Sequence, residues 1–241
     1  MPHSGTLPIR WLFAAALFCL AMPGSVAGAD VFVFDTITVQ NHPVFIKVLT
    51  KDRLFPAGGQ RVRIEKKGVV LGRILTGGDG YGFLKTEFAS PGIHEIAAQS
   101  DGERATGTVL VVTPDRPLIL LEIKVVSLRR SFIDTDTEGA RDALESLTET
   151  YGLVYLAGRF EIDGARQFIR SNRYPASVVI PYRGRETFRW MSDKGLRLSA
   201  AVGSPEFSDA AKATAERRFS FSRTASGETV KSWKELLSRL Q

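Results

Sequence analysis

From residue 30 onward, apolar and polar residues alternate in short runs. VFVFDTITV, HPVFIKVLT, QRVRIEKK, GVVLGRILT, GFLKTEF, GIHEIAAQS and ATGTVLVVT follow one another along the chain. Where such runs alternate, the period of two turns one strand face inward. Between them stand FPAGG, TGGDGYG, SPG and SDGE, the Gly, Pro, Ser and Asp chemistry of turns. No stretch of helical period interrupts the series. About seven short strands at roughly ten-residue spacing predict a small all-β sandwich over residues 30–113.

Thr113-Pro114-Asp115-Arg116-Pro117 ends this texture, because two prolines interrupt any ladder. The run LILLEIKVV reads as a continuous apolar strand of a sheet covered on both faces. GARDALESLTETYG then has helical period, LVYLAG is apolar, and EIDGARQFIRSNRYP is a helix stopped by Pro175. SVVIP, RETFRWMSDKG, LRLSAAVGS and PEFSDAAKATAERRF continue the alternation, the last with Pro205 near a helix start. RFSFSR and ETVKSWKELLSRL close it as a short strand and a helix. Strands alternating with helices predict an α/β parallel sheet over residues 114–241, with right-handed crossovers. Sites in such sheets form at the carboxyl ends of the strands. The change of texture predicts two separable domains that meet near Pro114.

Glu122 and Lys124 interrupt the apolar run PLILLEIKVVSL two residues apart. On a strand they share a face, and two charges on an apolar strand need either water or each other. They are expected at the strand end, neutralising one another. The plain alternative is an ordinary strand-end ion pair.

Ahead of residue 30 lies one Arg, an apolar run from Trp11 to Met22, and small residues ending Ala27-Gly28-Ala29. This is the pattern of a secretory signal peptide, residues 1–29, cleaved after Ala29 and leaving no transmembrane span; retention as an uncleaved anchor is the alternative. The expected location is periplasmic or secreted. Cys19, the one cysteine, falls inside the signal, so the mature chain holds no disulfide and no thiolate metal site. Of 32 Lys and Arg, one leaves with the signal, so 31 face 26 acidic residues. That surplus is modest, and no dense basic block with interleaved aromatics stands out, so nucleic acid is not an expected partner. His42 and His94 stand alone and are expected to be structural.

Two resemblances refine these expectations. TGGDGYGFLKTEF resembles the turn and following strand of bacterial Ig-like and transthyretin-like modules. Residues 117–241 resemble the haloacid dehalogenase (HAD) superfamily, a Rossmann-like fold, and within it lipin-type and related phosphatidate phosphatase domains. The first family motif, D-x-D-x-T after an apolar strand, aligns with Glu122 to Ser127, which puts Glu122 at the nucleophile and Lys124 at the acid/base position. The second, a strand ending in Ser or Thr, aligns with a strand ending at Ala157, followed by Gly158 and Arg159. The last, an apolar strand running into G-D and a later Asp, aligns with Gly203, Ser204 and Asp209. The basic residue of the third motif falls on Arg189 or Lys194.

In an active member the resemblance implies an attacking Asp, a second Asp for the leaving group, phosphoryl contacts from Ser/Thr and the basic residue, and Mg²⁺ on the acids. Here Glu122 is a methylene longer, Lys124 repels a dication, Ala157 offers no hydrogen bond and Ser204 lacks charge. Only Glu122 and Asp209 remain as vestigial metal ligands, and no cofactor is expected. The resulting expectation is an exported protein with a non-catalytic, HAD-like pseudo-phosphatase domain. It would bind an anion, such as a phosphate-bearing small molecule or a lipid headgroup, through Lys124, Arg159 and Arg189, or serve as a cell-envelope scaffold. The alternative is a phosphatidate- or phosphomonoester-directed phosphatase with an altered site, using Mg²⁺, with Glu122 as nucleophile. No protein partner is specified.

Overall fold

The computed structural model describes residues 30–52, 55–126 and 139–241; the signal-like segment lies outside these. Strands β1 (Asp30–Val33), β2 (Thr36–Val39), β3 (Val44–Asp52), β4 (Phe55–Pro56), β5 (Arg61–Lys66), β6 (Val69–Leu75), β7 (Tyr81–Thr86), β8 (Gly92–Ser100) and β9 (Glu103–Val112) come first. They form two facing sheets. One has the order β1-β3-β4 with β7 also on β3, and the other the order β2-β9-β8-β5-β6. The chain changes sheets between β1, antiparallel to β3, and β2, parallel to β9. This part is an all-β, Ig-like sandwich. Its core sets Val33, Val44, Ile46 and Val48 against Val62, Ile64, Ile96 and Val109. The β5–β6 and β8–β9 hairpins turn on Lys67-Gly68 and Asp101-Gly102, all at positive φ. Such two-residue turns match the twist of the strands they join, and glycine meets the second position without strain.

The remaining strands are β10 (Leu118–Glu122), β11 (Gly152–Ala157), β12 (Val178–Pro181), β13 (Leu198–Val202), β14 (Arg217–Ser220) and β15 (Glu228–Thr229). They build a six-stranded sheet of order β12-β11-β10-β13-β14-β15, with every pairing parallel. Helices α1 (Ile123–Val126), α2 (Ala140–Thr150), α3 (Ile162–Ser171), α4 (Arg185–Asp193), α5 (Pro205–Ala210) and α6 (Trp233–Leu240) accompany it. The order reverses between β10 and β13, so the carboxyl ends of these two strands flank the switch point.

Two expectations are corrected here. The run LILLEIKVV is a strand only to Glu122 and then turns into α1, so Lys124 lies on a helical turn rather than on the strand face of Glu122. The helix expected over PEFSDAAKATAERRF closes after Ala210.

Alternation along β10 sends Ile119 and Leu121 to one face and Leu118 and Leu120 to the other. The first pair packs with residues of α2, α3 and α6. The second pair shares a cluster with Phe188 and Met191 of α4, with Phe207 of α5, and with Ile37, Val39, Leu110 and Val112 of the sandwich. Strands β2 and β9 thus cover sheet area that a helix would otherwise cover. One apolar core therefore runs across the join at Pro114.

Polar bonds complete the junction. Asp35 has a side chain only 1% exposed, and its Oδ1 lies 2.6 Å from Arg166 Nη2. The amide of Thr108 donates to Oδ1 at 2.7 Å, and that of Val179 donates to Oδ2 at 2.8 Å. Arg166 also donates to the carbonyl of Val33 at 2.8 Å.

At the carboxyl terminus, Arg217 and Arg239 both grip Glu228, and Arg239 also reaches Glu235. Burial alone would push the Glu228 carboxyl up, but the hydrogen bonds from Arg217 and Arg239 prevail and hold it below its ordinary 4.5. A depressed carboxylate adds stability above its unfolded value and loses it as pH falls through the folded value. Thermal unfolding between pH 6 and pH 3 is therefore expected to show a falling acid limb that is shallower in Glu228→Gln. Superimposable limbs would remove Glu228 from that account.

Candidate functional site

A cleft of about 690 Å³ opens at the switch point. Glu122 ends β10 in its wall, Lys124 follows on α1, and Gly203 and Ser204 leave β13. Ser220 at the end of β14 and Ser222 just beyond it, with Lys231 and Ser232 before α6, complete its polar lining, and Glu206 stands at the start of α5.

Local chemistry explains the geometry. Ser204 is the N-cap of α5, its hydroxyl accepting from the Phe207 amide, and Pro205 occupies the first turn. The Ser204 amide is left pointing outward and donates to Glu122 Oε2 at 2.6 Å. Glu122 is only 6% exposed. Gly203 has a packing reason, since a Cβ there would meet the Phe207 ring at 2.4 Å. Ser232 caps α6 in the same way by accepting from the Glu235 amide.

Four of the expected site residues therefore converge: Glu122, Lys124, Gly203 and Ser204. The mutual neutralisation of Glu122 and Lys124 is corrected: the Glu122 carboxylate is engaged by a backbone amide, and no ion pair joins the two among the described residues. The others lie elsewhere. Ala157 is buried at the end of β11, and Gly158 begins a turn in which its amide donates to Glu161. Asp209 points away from the cleft to Arg185, at 2.9 Å, and to the Ser226 hydroxyl, at 3.0 Å. Those bonds, the one from Arg185 foremost, hold the Asp209 carboxyl below its ordinary value. Arg189 is exposed on α4. Arg159 and Lys194 line a different cleft, between the sandwich and the parallel sheet. His94 stacks on Phe88 with ring centroids 5.0 Å apart, and His42 bonds the carbonyl of Gln40, both local structural contacts.

Lys231, Ser220 and Ser222 were not anticipated. Their only sequence signal is position: Ser220 and Ser222 lie in the predicted strand RFSFSR, and Lys231 lies at the start of the closing helical segment that follows it. Arg185, at the very start of α4, also escaped notice, although the preceding Gly184 marks the helix entry.

Mg²⁺ takes oxygen ligands, one or two of them carboxylates from the protein beside its waters. Among the described residues no three His, Cys, Asp or Glu side chains gather in a way that would hold a metal ion. Glu122 with Lys124 beside it, and Asp209 turned away, do not fit Mg²⁺.

No family model matches the chain, and no curated protein matches it. Solved structures similar to part of it include domains 4 and 5 of the S-layer protein SbsC, at 15% identity over 36% of this chain and 53% of that one, with a TM-score of 0.29. The IG27 protein domain is 12% identical over 35% of this chain and 98% of its own, with a TM-score of 0.29. The D00-D0 domain of intimin is 12% identical over 34% and 45%, with a TM-score of 0.28. This chain thus spans about half of the SbsC and intimin fragments.

Proposed function

We propose that this is an exported, non-catalytic binding protein whose switch-point cleft takes a small anionic group such as a phosphate. Its α/β part is read as a degenerate haloacid dehalogenase fold and its export rests on the signal-like residues 1–29. One observation carries the non-catalytic reading. The carboxylate at the nucleophile position, Glu122, is buried and one of its oxygens, Oε2, is held by the Ser204 amide, an arrangement that supports a structural role over attack on phosphorus. Anion binding is supported by what remains. Lys124 and Lys231 stand at the rim with the hydroxyls of Ser220 and Ser222, while the acidic Glu206 restricts the cleft to a compact anion.

Inorganic phosphate and glycerol 3-phosphate are expected to raise the unfolding temperature in a saturable way, as any ligand of the native state does. Lys124→Ala and Lys231→Ala are each expected to weaken that effect about tenfold, in line with the loss of one charged hydrogen bond. Mg²⁺-dependent hydrolysis of phosphatidate or of a phosphomonoester that disappears in Glu122→Gln would overturn the reading in favour of a phosphatase with an altered site. A protein indifferent to phosphate would leave the envelope-scaffold role.

A further inference from the structure

The cleft between the sandwich and the parallel sheet has a different character. It measures about 490 Å³, within the usual size of a small-molecule site. Its sandwich wall is the outer face of β3 and β7. Antiparallel register sets Lys47 opposite Phe83 and brings Phe45 and Tyr81 onto the same face. The opposite wall is Ile180 and Pro181 at the end of β12, with Trp190 on α4. Phe45, Phe83 and Trp190 are 55%, 56% and 38% exposed, so three large rings stand open to solvent around one opening.

Cations are interleaved with these rings. Lys47, Arg159, Arg183 and Lys194 all line the cleft, and none of them is in an ion pair among the described residues. The Lys47 ammonium lies 4.1 Å from the Tyr81 ring centroid and 4.8 Å from that of Phe34. From the other wall, the Lys194 ammonium lies 5.1 Å from the centroid of Trp190. Two acids face the same space. Asp35 has its charge taken by Arg166, and Glu186 is exposed at the start of α4. The balance is positive, and the apolar walls are flat.

We propose that this interdomain cleft is a second binding site, for a small organic anion that carries a flat ring. The ring would stack on Phe83 or Trp190, and its carboxylate, sulfonate or phosphate would meet Lys47, Lys194 or the two arginines. Exposed aromatic faces beside unpaired cations are the arrangement that holds ring-bearing anions in general, stacking fixing the ring and the cations fixing the charge. An inorganic anion lacks the ring, and an uncharged ring leaves four cations unanswered. Because both walls contribute, the site exists only while the two parts stay docked. It shares no lining residue with the switch-point cleft, so either can fail alone.

Trp190 supplies the readout. Of the three tryptophans, Trp11 lies in the signal-like segment and Trp233 is buried beside the other cleft. Adenosine monophosphate and naphthalene-2-sulfonate serve as probes, one a nucleotide and the other a simple aromatic anion, with adenosine and inorganic phosphate as the single-feature controls. At least one probe is expected to change tryptophan emission in a saturable way, and the controls to displace it only at concentrations at least tenfold higher. Which probe binds better identifies the source of the ligand. Phe83→Ala is expected to weaken binding about five- to a hundredfold, the range seen for loss of one stacking ring. Lys194→Gln is expected to weaken it about tenfold and to reduce its salt dependence. Trp190→Phe keeps a ring and should keep binding by calorimetry while losing the emission change. All three side chains reach solvent, and an unchanged unfolding temperature would show that each variant is folded. The proposal is overturned if neither probe binds at millimolar concentration, if adenosine or phosphate displaces the better probe at an equal concentration, or if Phe83→Ala and Lys194→Gln, folded, bind as tightly as the parent. Lys124→Ala leaves this binding unchanged, and loss of binding in that variant would also overturn it.

Discussion

Replacing Asp35 with Ala is expected to destabilise the folded chain by about 3–5 kcal/mol, the range for removing one partner of a buried ion pair. Such a loss is a large fraction of the roughly 5–15 kcal/mol that holds a typical domain. Arg166, whose side chain is 15% exposed, would lose its carboxylate, and the amides of Thr108 and Val179 would lose their acceptor. Burial pushes the Asp35 carboxyl above its ordinary 3.8, against the pull of Arg166 and the two amides. Those groups are all donors, so the pocket is built for the anion. Asp35→Asn would set an NH₂ group against donors and is expected to be nearly as damaging. Asp35→Leu combined with Arg166→Met removes both charges but leaves the two amides bare, so only part of the loss should return. Urea unfolding of the three variants and the parent measures this. An Asp35→Ala variant within about 1 kcal/mol of the parent would mean that water replaces the carboxylate without cost.

A fragment of residues 114–241 is expected not to fold alone. Leu118, Leu120, Val154 and Val178 would face water where Ile37, Val39, Leu110 and Val112 now cover them. At roughly 1.5–3 kcal/mol per buried aliphatic side chain, those four sandwich residues represent on the order of 6–12 kcal/mol of transfer free energy, an upper bound comparable with the whole stability of a domain. Dispersed amide spectra and a cooperative urea transition from the fragment would refute this. The intact chain is correspondingly expected to unfold in one transition that moves both parts together.

Much of this architecture was legible because local pattern decides it. Alternation along VFIKVLT and the Asp101-Gly102 turn within SDGE specify strand and hairpin without help from afar, and the apolar runs at 152–157 and 198–202 are long enough to announce buried parallel strands. The end of β10 was not legible. IKVV is as good a strand as a helical turn by composition, and only the surrounding fold places Lys124 on α1. Within the candidate site, the pairing of Glu122 with an amide was hidden for a related reason. A sequence displays charged partners such as Lys124, whereas a backbone donor 82 residues away leaves no mark. The second cleft was missed because alternation says which residues of β3 and β7 face outward, but not that a second sheet stands opposite them. Arg159 and Lys194 were singled out as cations for one pocket, and the tertiary structure delivers both to another.

The Asp35 cluster also sets the order in which the chain can be completed. Its partners Arg166 and Val179 lie 131 and 144 residues further along, so the first described strands cannot be locked until most of the chain has been made and folded. Contacts of such sequence separation slow folding, because a long loop must close before any of its contacts gives a return. A chain emerging amino terminus first would hold β1 and β2 loosely, with Ile37 and Val39 uncovered, until the parallel sheet arrives. That interval is when chaperones or proteases have their access, and a slow final phase sensed at Trp190 is its kinetic signature.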